Sequence, residues 1–279
     1  MSQSSIRPLS VGNVVSASIR LYRSHLKSYF QLALTAHFWL LVPVYGWAKF
    51  SAISALISRL VFAELVDQPE SESTARTHVN SRMWDFFVAG ILVSLIIGGA
   101  FFGSYLALII LGLLAAVIVS AVGQQTPVVL TLVGLLAIAG LIALIIGIIR
   151  LYSRLAIAEV PLAIENNVTA TSTISRSWDL TKGSVGRLQL IVFVAFLISL
   201  PLQIVVYVIT NALPLAFPKL IEQSPIFSII FFVLVITLNF ASGAAIMPFW
   251  QAIKAVIYYD LRSRREGLGL KLRDRNDMV

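Results

Sequence analysis

The chain contains no cysteine. Disulfides, thiolate metal sites and cysteine nucleophiles are therefore excluded, although this absence does not identify the compartment. Charge is also scarce, at 12% of 279 residues, where soluble domains carry about a quarter. With 58% hydrophobic residues and apolar runs recurring from Phe30 to Tyr259, a water-soluble globule is ruled out. Histidine occurs three times, and no catalytic constellation stands out. The N-terminal MSQSSIRPLS leads into a polar stretch rather than a short apolar core with a small-residue cleavage site, so no cleavable signal peptide is expected.

The charges that are present carry a net +8. They flank apolar spans, so they are read as setting orientation in a bilayer rather than binding nucleic acid. From Ser10 to Lys27, Val11, Val14, Val15, Ile19, Tyr22 and Leu26 recur at helical spacing, with Arg20, Arg23 and Lys27 among the polar positions. This pattern predicts a helix on the membrane surface, with Ser10 as its N-cap. Phe30–Trp47 is read as the first span, near the minimum length of about 17 residues. Lys49–Leu65 prolongs it or folds along the far interface. Residues 67–80, DQPESESTARTHVN, read as a polar exposed loop.

Residues 86–149 hold no charge over 64 positions, interrupted by a polar turn at Gln124–Pro127. As one helix, residues 86–122 would be about 56 Å long against a hydrocarbon core of about 30 Å, which favours a break near Gly98, Gly99 or Gly103. Basic-residue counts agree with a break. The segments before residue 30, from Arg150 to Arg187 and after Lys254 look internal. The Lys49–Asp85 region, with five acidic residues, and residues 212–225, with Lys219 alone, look external. The expected architecture is an all-α integral membrane protein with about six transmembrane helices and two interfacial amphipathic helices. Five spans, one of them very long, is the alternative.

Residues 150–187 hold the second interfacial helix, in which Val168, Ala170, Ile174 and Trp178 share a face and Gly183 is the stop. Leu188–Leu213 and Pro225–Tyr259 are the last spans. The chain is then a single membrane domain over 1–279, divided into a cytoplasmic tail and interfacial helix (1–29), a first helix group (30–149), a cytoplasmic segment (150–187), two last spans (188–259) and a basic cytoplasmic tail (260–279). Both halves place Arg, one residue, then an aromatic before a span (Arg20 and Tyr22; Arg176 and Trp178), a likeness open to ancestral duplication but read as chance, since interfacial helices everywhere favour Arg and aromatics.

Three stretches, RPLSVGNVVSASIRLYRSHLKSYF, RLAIAEVPLAIENNVTATSTISRSWDLTKG and YYDLRSRREGLGLKL, together resemble the glycerophosphoryl diester phosphodiesterase membrane-domain family. The resemblance implies a bacterial multi-helix membrane domain, which some members fuse to a soluble phosphodiesterase barrel. Such a barrel needs on the order of 250 residues outside the membrane. The family's activity and its metal-binding carboxylates and histidines therefore do not transfer, and a non-enzymatic protein without cofactor or metal is expected.

Several residues are candidates for binding. Arg150 and Arg154, four apart, can hold lipid phosphate, although pairing with Glu159 or snorkelling explains them equally. Arg20, Arg23, Arg176, Trp178, Arg262, Arg264 and Arg265 complete a set of candidate contacts to anionic headgroups or to partner membrane proteins. His37 lies inside the first span, where an ionisable group marks function by default. Gln203 and Asn239 are the intramembrane polar positions that a transport path would use, with interhelical hydrogen bonds as the ordinary explanation. The leading expectation is an accessory, scaffold or regulatory component of a membrane complex or its lipid environment; a transporter or channel is the alternative. The expected setting is a bacterial inner or other energy-transducing membrane, with both termini cytoplasmic and no nucleic-acid partner.

Overall fold

A computed structural model describes residues 9–122, 127–218 and 224–267, all of whose regular structure is helical. The polar turn at 124–126, Lys219 and the tail beyond Gly267 lie outside the described residues. The helices are α1 (Val11–Ser24), α2 (Leu26–Trp39), α3 (Tyr45–Leu65), α4 (Glu72–Ser81), α5 (Met83–Val122), α6 (Pro127–Leu155), α7 (Glu159–Ile164), α8 (Ser172–Thr181), α9 (Val185–Ala216) and α10 (Pro225–Glu266). Among the described residues, α5, α6, α9 and α10 are the helices long and apolar enough to cross a membrane.

Local chemistry explains most boundaries. Ser10 caps α1, its Oγ accepting from the Asn13 amide at 3.1 Å, and Ser71 caps α4 through the Thr74 amide at 3.2 Å. Gly183, at φ 78°, ends the α8 segment, and Gly267, at φ 63°, closes α10. Pro225 opens α10, where its missing N–H costs no helical bond.

The molecule has two unlike ends. At one, α1–α4, α7 and α8 wrap the beginnings of α5 and α9 and the ends of α6 and α10. α3 is central there. Its Ala52, Ile53, Ala55, Leu56, Ile57 and Val61 are buried, chiefly against α10 and α2. Inside this contact Ser58 donates to Gln251, whose amide donates in turn to Ser54. These three buried polar side chains satisfy one another, as burial requires. α1 lays Val14, Val15, Ser18 and Leu21 toward the same core, and its neighbour Leu9 is tied by its amide to Asp260 at 3.1 Å. At the other end the long helices leave their large apolar side chains exposed, from Leu95 to Val117 on α5 and from Val128 to Ile149 on α6.

Three expectations are corrected. α5 is unbroken through Gly98, Gly99 and Gly103. The length argument for a hairpin assumed that the whole helix lies in the bilayer, whereas its first turns, with Phe86 and Ala89 buried, belong to the folded end. Glycine weakens a helix by only about 1 kcal/mol, which does not oblige a break. Secondly, Phe30–Trp47 is not one span: α2 stops at Trp39, and the chain turns through Leu40–Val44, with Val44 at φ 60°, before α3 packs back along α2. Thirdly, the Lys49–Asp85 and Arg150–Arg187 regions, expected on opposite sides of a membrane, touch. Arg82 donates to the carbonyls of Leu162 and Glu165, both at 2.8 Å, and to that of Val168. Arg59 bridges Glu70, at 2.7 Å, and the Ala163 carbonyl, at 2.6 Å. Counting acidic residues as an external signal misled here, because orientation follows Lys and Arg rather than net charge.

Candidate functional site

The polar chemistry of the chain gathers in the folded end. From α8, Arg176 reaches Glu165 at 3.0 Å and also Glu266. Tyr258 donates to the same Glu165, and Arg262 holds Glu266 at 2.9 Å while its guanidinium lies 5.5 Å from the Tyr258 ring centre. Burial opposes the charge on Arg176, but hydrogen bonds and attraction from Glu165 and Glu266 outweigh it, and its pKa sits above the ordinary value. A second cluster joins three distant segments: Arg187 pairs with Asp260 and donates to the Leu9 carbonyl at 2.9 Å, while Arg264 pairs with Asp260 at 3.0 Å. Arg265 donates to the Lys182 carbonyl.

These contacts divide the candidate binding residues. Arg176, Arg262, Arg264 and Arg265 are engaged inside the chain. Arg154 stacks over Trp178, with its guanidinium carbon 4.1 Å from the ring centre, a cation–π pair. Its partner ring keeps an outward face, since Trp178 remains exposed. Arg20, Arg23 and Arg150 are exposed, and among the described residues their side chains form no ion pair or hydrogen bond. Lys27 is exposed beside Arg23 in an open depression that also includes His25 and Gln31. A patch of cations is thus available on α1 and the start of α2.

The candidates read from the sequence as intramembrane separate differently. His37 Nδ1 donates to the Ala33 carbonyl at 2.7 Å. The ring is wedged between Phe50 and Phe240. Nε2 also sits where a Cβ on Gly243 would be, only 2.2 Å from it, so glycine is required for this approach. Gln203 and Asn239, far apart in sequence, do come together: with Tyr207, Thr210 and Ser242 they line an open groove of about 410 Å³ between α9 and α10. Gln203 and Asn239 are each bonded on their own helix, Gln203 to Ser199 and Asn239 to the Val235 carbonyl.

Sequence reasoning passed over the residues that organise the folded end. Arg59 and Arg82 bind carbonyls of a distant segment, a role without spacing to announce it. Lys254 pairs with Glu159 at 2.7 Å beside a cavity of about 150 Å³ that Ser51, Phe86, Val93 and Tyr152 also line. The one available signal was a lone lysine interrupting the apolar run of α10, which calls for a buried partner. Among the described residues no three His, Asp or Glu side chains gather as a metal site needs. His25 lies beside Glu64, His37 against Phe240 and His78 near Arg59 and Arg82. Comparison of the chain with protein-family models, curated proteins and solved structures returns no match.

Proposed function

We propose that the protein is a non-enzymatic, multi-pass membrane component that organises, regulates or stabilises a membrane complex or the lipid around it. The observation that carries this reading is the openness of α5 and α6. In the most apolar stretch of each, no residue is buried. Helices so uncovered offer lateral apolar surface to lipid or to the spans of another protein, and the closed ion-pair network of the folded end supplies a rigid base for that presentation. The exposed Arg20, Arg23, Lys27 and Arg150 suit anionic headgroups, each worth about 1 kcal/mol near such a surface. In this proposal α1 and α8 lie at the interface, both termini face the cytoplasm, and the setting is a bacterial inner membrane, as the resemblance to the glycerophosphoryl diester phosphodiesterase membrane domains implies.

The test is a pull-down of the tagged full-length protein from its native membrane in mild detergent, with mass spectrometry of the proteins and lipids retained. A partner at fixed ratio is the expected result; a protein that is always solitary refutes the accessory reading. A solitary oligomer retaining a small solute supports the second reading, a transporter. The groove that unites Gln203 and Asn239 favours that alternative.

A further inference from the structure

We propose that the α2–α3 hairpin is a shallow re-entrant wedge that enters the near leaflet of the membrane and returns, its tip bathed in acyl chains. The tip collects Phe38, Leu41, Val42, Val44, Tyr45 and Trp47, all exposed, with Leu41 at 60% and Phe38 at 56%. Aqueous exposure of so many large apolar side chains at one point is unfavourable, by about 25 cal/mol per Å². Two observations identify lipid as what covers them.

One is the backbone. Irregular chain in hydrocarbon must satisfy its own polar groups. In this turn the amides of Leu40, Leu41 and Val42 donate to the carbonyls of His37, Phe38 and Trp39, those of Tyr45 and Gly46 donate to Pro43 and Val42, and Pro43 has no amide to satisfy. Three polar side chains of the hairpin are bonded to its own backbone as well: Thr35, His37 and Ser51 each donate to the carbonyl four residues earlier. Of the amides from Leu40 to Val44 only that of Val44 is left without a backbone acceptor, a degree of self-sufficiency that a turn in water does not need.

The other is position. Phe38 and His37 rest on Phe240 of α10, within the apolar span rather than beyond it, so the tip is continuous with the lipid-facing surface of that helix. Lys49, five residues after Val44, bonds Asn80 at 3.2 Å. The polar boundary therefore lies about 8 Å behind the tip at 1.5 Å per residue, the depth of an interfacial insertion.

A hairpin that returns leaves four crossings, α5, α6, α9 and α10, and puts α4 on the same side as α7 and α8, as the Arg82 and Arg59 bonds require. Charge placement agrees. Of the 21 Lys and Arg residues, Lys219 alone falls in a connection between the far ends of these helices, the asymmetry expected when the folded end faces the cytoplasm.

The absence of native cysteine makes the test direct. Single cysteines are introduced in the full-length chain as L41C, V42C, Q68C and N166C, and the protein is reconstituted into phosphatidylcholine–phosphatidylglycerol vesicles. Leu41 and Val42 are exposed, so elution matching the cysteine-free parent is the check on folding. Nitroxides at positions 41 and 42 are expected to collide with oxygen more than with a water-soluble nickel chelate, with the order reversed at position 68. An impermeant maleimide is expected to label Q68C and N166C from one side. Labelling of these two from opposite sides would mean that the hairpin region crosses the bilayer; nickel access at the tip would place it in water; shielding of the tip from both agents would place it against protein. Each of these overturns the wedge and leaves the accessory role to the pull-down, because the wedge requires only that the chain be embedded.

Discussion

Arg82 offers the sharpest test of how the folded end is held. Its guanidinium, with 15% of the side chain exposed, donates to the carbonyls of Leu162, Glu165 and Val168, joining the α4–α5 junction to α7 and the loop after it. R82M keeps much of the aliphatic stem and strands three acceptors. A charged donor's bond contributes about 1.5–3 kcal/mol; because these bonds are only part-buried and water partly replaces the donor, a net of about 1 kcal/mol each, or about 3 kcal/mol together, is the working figure. At about 2–4 °C per kcal/mol, the midpoint for loss of monodisperse elution on heating in detergent should fall by about 6–12 °C. R82K, with one ammonium in place of a planar fork, should recover about half of this loss. The control is R76M, which removes an exposed pair with Glu72 and should matter little. A drop under about 2 °C for R82M, less than 1 kcal/mol on that scale, or one equal to that of R76M, would refute the clamp.

Other outcomes follow from individual contacts. G243A should destabilise the protein because the new methyl meets His37 Nε2, and H37A should relieve much of that loss, so a double-mutant cycle in the heating assay should show strong coupling; additive effects would remove the contact. G46A should be worse tolerated than G12A, since its Cβ would sit 1.8 Å from the Trp39 carbonyl oxygen while that of Gly12 has only the Ser10 hydroxyl at 3.9 Å. His78 is held below its usual pKa by burial and by Arg59 and Arg82, with Glu70 pulling the other way. Stability on its account is complete above the unfolded value of about 6.5 and declines as pH falls below it toward the folded value. H78Q should flatten the dependence of the heating midpoint between pH 7.5 and 5.5, and an unchanged slope would assign it elsewhere. Removing Arg20, Arg23 and Lys27 together should weaken the preference for anionic over neutral lipid by about 100-fold, at about 1 kcal/mol per charge, as read from co-purified lipid; R176Q should instead lower thermal stability.

Helical content and several boundaries could be read from the residues, because caps and stops are local. Ser10 does bind the amide of Asn13, and Gly183 does take the left-handed conformation that ends its segment. Hydropathy was less informative about what covers an apolar residue. Val14 in α1 and Leu56 in α3 are fully buried by other helices, whereas Leu113 in α5 is 64% exposed, yet all three look alike in sequence. The turn at Pro43 lay hidden inside an apolar run long enough to cross. The carbonyls bound by Arg82, the Glu159 bound by Lys254 and the Glu266 bound by Arg176 lie 80 or more residues away, and no periodicity encodes such pairings. The approach of Gln203 to Asn239 likewise depends on how α9 meets α10.

The joining of Leu9 to Asp260 spans 251 residues, and that of Ser58 to Gln251 spans 193. During synthesis the first helices are therefore complete long before their main support exists. α3, with its buried serines and alanines, must wait in the nascent protein until the last helix emerges and closes over it. Truncation before α10 would leave the early helices made but unassembled, and quality control would meet that surface on every chain that stops short.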